Sequence, residues 1–178
     1  GGREAFSPIK WVRQNYNSGK GNIQYHEGRR IAKMIITHLH VDHFSDIGSF
    51  VRTEDKPRIL LRDKKTLKFI DEKIGEEKEG SSRQKILKQF KKFQSSYTQE
   101  VENQVDWGFD FYRHGQLSYR DAQSLSIDRD KIINNRSFII GIEYAGNKIL
   151  IPGDILTEGW EKAFQSAYIT DILAGTNF

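Results

Sequence analysis

The chain carries 178 residues, 37% hydrophobic and 29% charged, with a formal charge of +4 and no cysteine. That length suits a single domain over residues 1–178 with a real core, and there is no apolar run long enough to span a membrane. The missing thiol excludes disulfides, thiolate metal ligands and cysteine nucleophiles, so any metal must be held by imidazole and carboxylate; the mild basic balance suits an anionic substrate without requiring one.

The first thirty residues, rich in Gly, Asn, Ser and Tyr, show no sustained period and read as irregular. Ile31 to Thr37 is a short apolar run that reads as a buried strand, and His38 to His43 follow on the loop at its end. Ser45 is placed to cap a short helix through Val51, and Arg58 to Arg62 reads as a strand after Pro57. Residues 62–104 differ in character and read as a charged helical insert. Leu67, Ile70 and Ile74 recur at helical spacing, as do Ile86, Leu87, Phe90 and Phe93, with Lys85, Lys88, Lys91 and Lys92 on the opposite face. Phe109 to Tyr112 alternates like a strand. Ser137 to Tyr144 and Lys148 to Ile151 read as a hairpin around Ala145-Gly146-Asn147. Thr157 is placed to cap a helix bearing Trp160 and Phe164, and Asp171 to Leu173 reads as one more strand. Strands and helices interleaved in this way predict layered α/β packing.

Four metal-binding side chains lie within six residues in His38-x-His40-x-Asp42-His43. Histidines separated by one residue of extended backbone point the same way, so His38 and His40 can share an ion. Asp42 and His43, on a turning backbone, can serve a neighbouring site. Imidazole and carboxylate without sulfur suit zinc, with manganese or iron as alternatives. A bound cation would bring the pKa of water toward neutrality. By composition alone such a pattern arises in about one chain in ten thousand of this length. The competing reading is a histidine-rich surface loop. A second piece is Ile149-Leu150-Ile151-Pro152-Gly153-Asp154, an apolar strand whose Pro-Gly turn presents an aspartate that can bridge two ions; alone, it reads as an ordinary turn.

Together, the His38–His43 string and the strand ending in Gly153-Asp154 resemble motifs of the metallo-β-lactamase superfamily. Asn134-Asn135-Arg136-Ser137-Phe138-Ile139-Ile140, Ile149 to Asp154 and Asp171-Ile172-Leu173 look like the hydrolase domain of bacterial DNA-uptake competence proteins. The resemblance covers residues 31–60 and 107–178. It implies a four-layer αβ/βα sandwich with one or two zinc ions (or manganese) at one edge, held by His38, His40, Asp42, His43 and Asp154. It further implies catalytic roles for Asp42, which would hold the attacking water, and His43, with Asp154 bridging the ions.

Three departures accompany it. A further histidine is usual some twenty residues before the bridging aspartate, yet none lies between Asp121 and Gly153; Asn134 or Asn135 stands there as a weak ligand or substrate contact. A last histidine should follow a strand like Asp171–Leu173, but Phe178 comes first. The family's opening strands, ending in Asp-x-Gly, are also missing. The expectation is a fold incomplete at both ends, part of a longer protein or assembly. His114 reads as a solvated turn residue, with a distal ligand or phosphate contact as the alternative.

The leading functional expectation is a metal-dependent phosphodiesterase, a nuclease in particular, using a metal-bound hydroxide on nucleic acid or another phosphodiester. A thioester, lactone or lactam hydrolase is the alternative enzyme, and a degenerate binding module the non-enzymatic one. No export signal is visible, which makes the cytoplasm the default location.

Overall fold

The computed structural model describes residues 7–15, 31, 33–50, 52–97, 112–144 and 146–174. The chain divides into two compact units, the first made of Gly1–Ile35, Phe44–Leu61 and Ile70–Glu100. Helix α1 (Pro8–Asn15) corrects the expectation of an irregular arm. Its start has a local cause: Pro8 presets φ in the first turn, and Ser7 Oγ accepts from the Lys10 N–H at 3.3 Å. Ile9 is fully buried, and Arg13 donates to Asp55 Oδ2 at 2.7 Å and to the Ser49 carbonyl at 2.8 Å.

Strands β1 (Lys33–Ile35) and β2 (Ile59–Leu61) form a parallel pair with Met34 opposite Leu60, where the two apolar runs predicted strands. Ser45 does not begin an α-helix. The chain instead makes 3-10 turns at Val41–Phe44 and Ile47–Ser49, and Asp46 precedes the second without a side-chain cap bond. Its Oδ2 accepts from Ser7 Oγ at 2.7 Å. Helices α2 (Lys68–Glu76) and α3 (Ser82–Ser95) fall where the 3.6-residue period placed them. Ser81 caps α3 by accepting from the Gln84 N–H, and Leu87, Phe90 and Phe93 are buried while the four lysines stay exposed. Phe90 stacks on Phe44 at 4.3 Å between ring centroids.

The second unit comprises Ile36–His43, Arg62–Phe69 and Val101–Phe178. Strands β3 (Tyr112–Gly115), β4 (Ile139–Tyr144) and β5 (Asn147–Ile151) form an antiparallel sheet in that order. The hairpin is tighter than expected: Tyr144 pairs with Asn147, and Gly146 takes a φ of 77° in the turn. Of the expected strand Phe109–Tyr112, only the last residue is in β3; the other three lie outside the described residues. Two short helices, α4 (Tyr119–Leu125) and α5 (Arg129–Asn135), occupy a stretch with no predicted element. Ser118 and Asp128 cap them, Asp128 accepting from the Asp130 and Lys131 N–H groups.

Helix α6 (Thr157–Ala163) bears Trp160 as expected, but Leu156, not Thr157, holds the cap position. The strand expected at Asp171–Leu173 is instead the end of helix α7 (Ala167–Leu173). Ile169, Ile172 and Leu173 stand at helical spacing, and Ser166 Oγ accepts from the Ile169 N–H. These three side chains are buried with Leu117, Ile139, Ile155 and Ala163. Ile172 approaches the sheet where glycines leave room: a Cβ on Gly115 or Gly141 would stand 2.8 or 3.0 Å from it.

A buried ion pair ties this unit together. Arg136, just past α5, donates from Nε and Nη2 to the two carboxylate oxygens of Asp63 at 2.8 and 2.5 Å. It also donates to the Leu117 carbonyl and Gln116 Oε1, while Asp63 accepts from Thr66 Oγ1 and the Lys65 N–H. Every oxygen of the carboxylate is thus engaged, which a buried charge requires. The mixed α/β class is as expected. No helix among the described residues is long and apolar enough to cross a membrane.

Candidate metal centre

Three stretches of the second unit are joined at one point. The Thr37 carbonyl accepts from the Phe138 N–H at 2.8 Å, fastening the histidine loop to the start of β4. Ser137 Oγ accepts from the Asp154 N–H at 3.1 Å, and Asn135 Oδ1 accepts from the Leu156 N–H at 3.1 Å. The turn carrying Asp154 is therefore bracketed by the Asn-Asn-x-Ser stretch. Gly153 makes the close approach possible. Its φ is 61°, and a Cβ there would lie 2.8 Å from Ser137 Cβ and 3.2 Å from Thr37 Cβ.

Onto this scaffold the chain projects imidazoles and carboxylates. One ring nitrogen each of His38 and His43 and an Asp154 carboxylate oxygen all lie within 4.8 Å of one another. Asp154 Oδ2 is 3.6 Å from His38 Nε2 and 3.3 Å from His43 Nε2. His40 Nδ1 is 3.2 Å from His38 Nε2, and Asp42 Oδ2 is 3.4 Å from His43 Nε2. The five residues read from the sequence as ligands thus come together. His38 is buried, His40 and His43 are half-buried, and Asp42 and Asp154 are exposed.

The donor set fits a divalent cation. Two ligand atoms bound tetrahedrally to one zinc at about 2.0–2.1 Å stand about 3.3 Å apart. The four separations here run from 3.2 to 3.6 Å. Burial, reinforced by the nearby His43 and His40 and opposed by Asp154 and Asp42, pushes the His38 pKa down to about 4. Its imidazole is therefore neutral at pH 7, the form that ligates metal. Each histidine also has a partner behind it. Thr37 Oγ1 lies 3.3 Å from His38 Nδ1 and 3.2 Å from His43 Nδ1, and Asp130 Oδ1 lies 3.4 Å from His40 Nε2.

Other candidate residues take different places. Asn135 is fully buried, its Oδ1 spent on the Leu156 amide and pressed against Gly159. Asn134, half-buried, accepts from the Ser137 N–H through its carbonyl. His114 stands on β3 with its ring edge-on to Phe138 at 5.6 Å, and its carbonyl accepts from Tyr168 Oη. His114 is not part of the His38, His43 and Asp154 donor group. Three contributors went unread as site residues: Thr37, Asp130 and Ser137. Thr37 adjoins the histidine string and Ser137 lies in the Asn-Asn-x-Ser stretch, whereas nothing in the local sequence marks Asp130.

Comparison with known proteins adds a family. The model of the metallo-beta-lactamase superfamily matches residues 19–130, which include the whole His38–His43 string. No curated protein and no solved structure matches the chain. The match spans more than half of the sequence and contains four of the five converging side chains, so the chain belongs to the metallo-beta-lactamase superfamily.

Proposed function

We propose that this chain is a zinc-dependent phosphodiesterase, with nucleic acid as its substrate. Superfamily membership suggests a metal-dependent hydrolase. The observation that carries the reading is the convergence of His38, His40, Asp42, His43 and Asp154 at donor separations suited to shared cations. His38 and His40 would hold one ion, Asp42 and His43 a second, and Asp154, which lies near both His38 and His43, would reach both. Manganese is the alternative to zinc. When bound, a divalent cation there supplies Lewis acidity and acidifies water at the site. The protein's own part is to orient three imidazoles and to keep the buried one, His38, neutral. Asp42, mostly exposed beside His43, would accept a proton from water at its carboxylate.

A phosphodiester is favoured over a neutral ester by charge. The chain is net +4, and α3 turns Lys85, Lys88, Lys91 and Lys92 to solvent above a buried apolar stripe; Lys91 meets Asp71 at 2.5 Å. The likeness of residues 134–140 and 149–154 to the competence-protein hydrolase domain points the same way.

The test compares zinc- and manganese-loaded protein on bis(p-nitrophenyl) phosphate, single-stranded DNA and a simple thioester or lactone, with Asp154→Asn as control. Phosphodiester cleavage should fall more than about a hundredfold in the variant, and DNA binding should weaken steeply between about 50 and 200 mM salt. Turnover of the thioester or lactone alone, insensitive to salt, would overturn the substrate assignment. Metal bound without any turnover would leave a binding module.

A further inference from the structure

We infer that Asp130 is a positioning residue of the metal centre, holding His40 in the one tautomer that can ligate through Nδ1. This rests on the metal-centre reading above and adds a residue that neither the histidine string nor Asp154 brings with it. The two nitrogens of His40 face opposite ways: Nδ1 is 3.2 Å from His38 Nε2, and Nε2 is 3.4 Å from Asp130 Oδ1. A neutral imidazole has one N–H and one lone pair, and an ionised carboxylate can only accept. Facing Asp130 therefore puts the proton on Nε2 and leaves the Nδ1 lone pair toward His38.

His38 and His43 are arranged the other way round. Their Nδ1 atoms share the Thr37 hydroxyl, and their Nε2 atoms face Asp154. Thr37 cannot set His40, whose Nδ1 is turned to the site. A carboxylate on the far side of that ring does so, and this also makes Asp130 an outer partner of His40 instead of a ligand beside it.

The carboxylate is held by its backbone. Asp128 Oδ1 accepts from the Asp130 N–H at 2.8 Å and from the Lys131 N–H at 3.2 Å. Further along the same helix, Ile132 and Ile133 are buried, and Arg136 just beyond it is locked to Asp63. Asp130 can thus remain exposed and still meet a residue 90 positions away in the chain. Carboxylate–histidine–metal relays of this kind typically change metal affinity about ten- to a hundredfold when the carboxylate is removed.

The experiment measures zinc affinity by competition with a chromophoric chelator in the full chain, Asp130→Ala and Asp130→Asn, with thermal unfolding of each recorded alongside. Long-range proton–nitrogen correlation spectra of the metal-free proteins read the His40 tautomer. Asp130→Ala should bind zinc about ten- to a hundredfold more weakly, show a mixed His40 tautomer and keep its unfolding midpoint, while the amide variant, which retains an acceptor, should recover part of the affinity. An affinity within about twofold of wild type with an unchanged Nε2–H tautomer would overturn the role of Asp130. If Asp130→Ala fails to fold, Asp130→Asn decides the matter by the same two readouts. Absence of zinc binding in the unaltered chain would overturn the metal centre and this inference with it.

Discussion

Gly153→Ala concentrates the scaffold of the site into one methyl group. The residue has a φ of 61°, and the added Cβ would stand 2.8 Å from Ser137 Cβ, 2.9 Å from Ser137 Oγ and 3.2 Å from Thr37 Cβ. Left-handed backbone costs a non-glycine residue about 1–2 kcal/mol, and forcing a methyl into a packed site adds about 1–3 kcal/mol, so the variant should lose about 2–5 kcal/mol. Gly146→Ala and Gly80→Ala are internal controls. Both glycines have positive φ, at 77° and 73°, but a Cβ at either would meet nothing within 4 Å. They should lose only the backbone part, about 1–2 kcal/mol. The clash also pushes on the hydroxyl that holds the Asp154 amide and on the residue behind His38 and His43. Zinc affinity should therefore fall in Gly153→Ala and stay unchanged in the controls. Urea unfolding and zinc competition on all three measure this. Equal destabilisation at the three positions, with wild-type zinc affinity, would refute the close packing of Gly153, Ser137 and Thr37.

Three further outcomes follow from named contacts. Arg136→Met leaves the buried Asp63 carboxylate without its cation and should cost about 3–5 kcal/mol in urea unfolding; a loss below about 1 kcal/mol would show that the pair is not buried as described. Thr37→Val keeps shape but removes the hydroxyl shared by His38 and His43, so zinc should bind about tenfold more weakly, with Thr37→Ser near wild type; equal affinity in all three would contradict the shared hydroxyl. In metal-free protein, native His38 titrates near 4 and unfolded histidine near 6.5, so the native state binds fewer protons across that interval. Stability should then decline as pH falls from about 6.5 to about 4, by up to about 3 kcal/mol, and His38→Gln should flatten that part of the profile; identical profiles for the two proteins would contradict the burial of a neutral imidazole.

The chemistry was more legible in the sequence than its support. His38, His40, Asp42 and His43 are consecutive enough for backbone geometry alone to gather them, and Asp154 could be read from a strand closing in Pro-Gly. Asp130 could not, because its partner lies 90 residues away and only the placement of α5 joins them. The Asn-Asn-x-Ser stretch was visible as a motif, but its observed work, holding the Asp154 and Leu156 amides, depends on tertiary contacts. Among the elements, α2 and α3 were readable because each repeats the helical period over several turns. Asp171-Ile172-Leu173 misled because three residues cannot distinguish periods of 2 and 3.6; Ile169 and the Ser166 cap decide for a helix. Helix α1 was missed for the converse reason, its one fully buried aliphatic, Ile9, giving little periodic signal, although Ser7-Pro8 marked its start.

The most direct measurement is zinc retained per chain after chelator stripping, reloading and desalting, compared between the unaltered protein and the His38→Ala and Asp154→Asn variants. The unaltered protein should retain one or two zinc ions per chain, with imidazole ligation at about 2.0–2.1 Å by X-ray absorption, and either variant about one fewer. A protein that retains no zinc, or retains as much in both variants, would contradict a metal centre built from His38, His40, Asp42, His43 and Asp154.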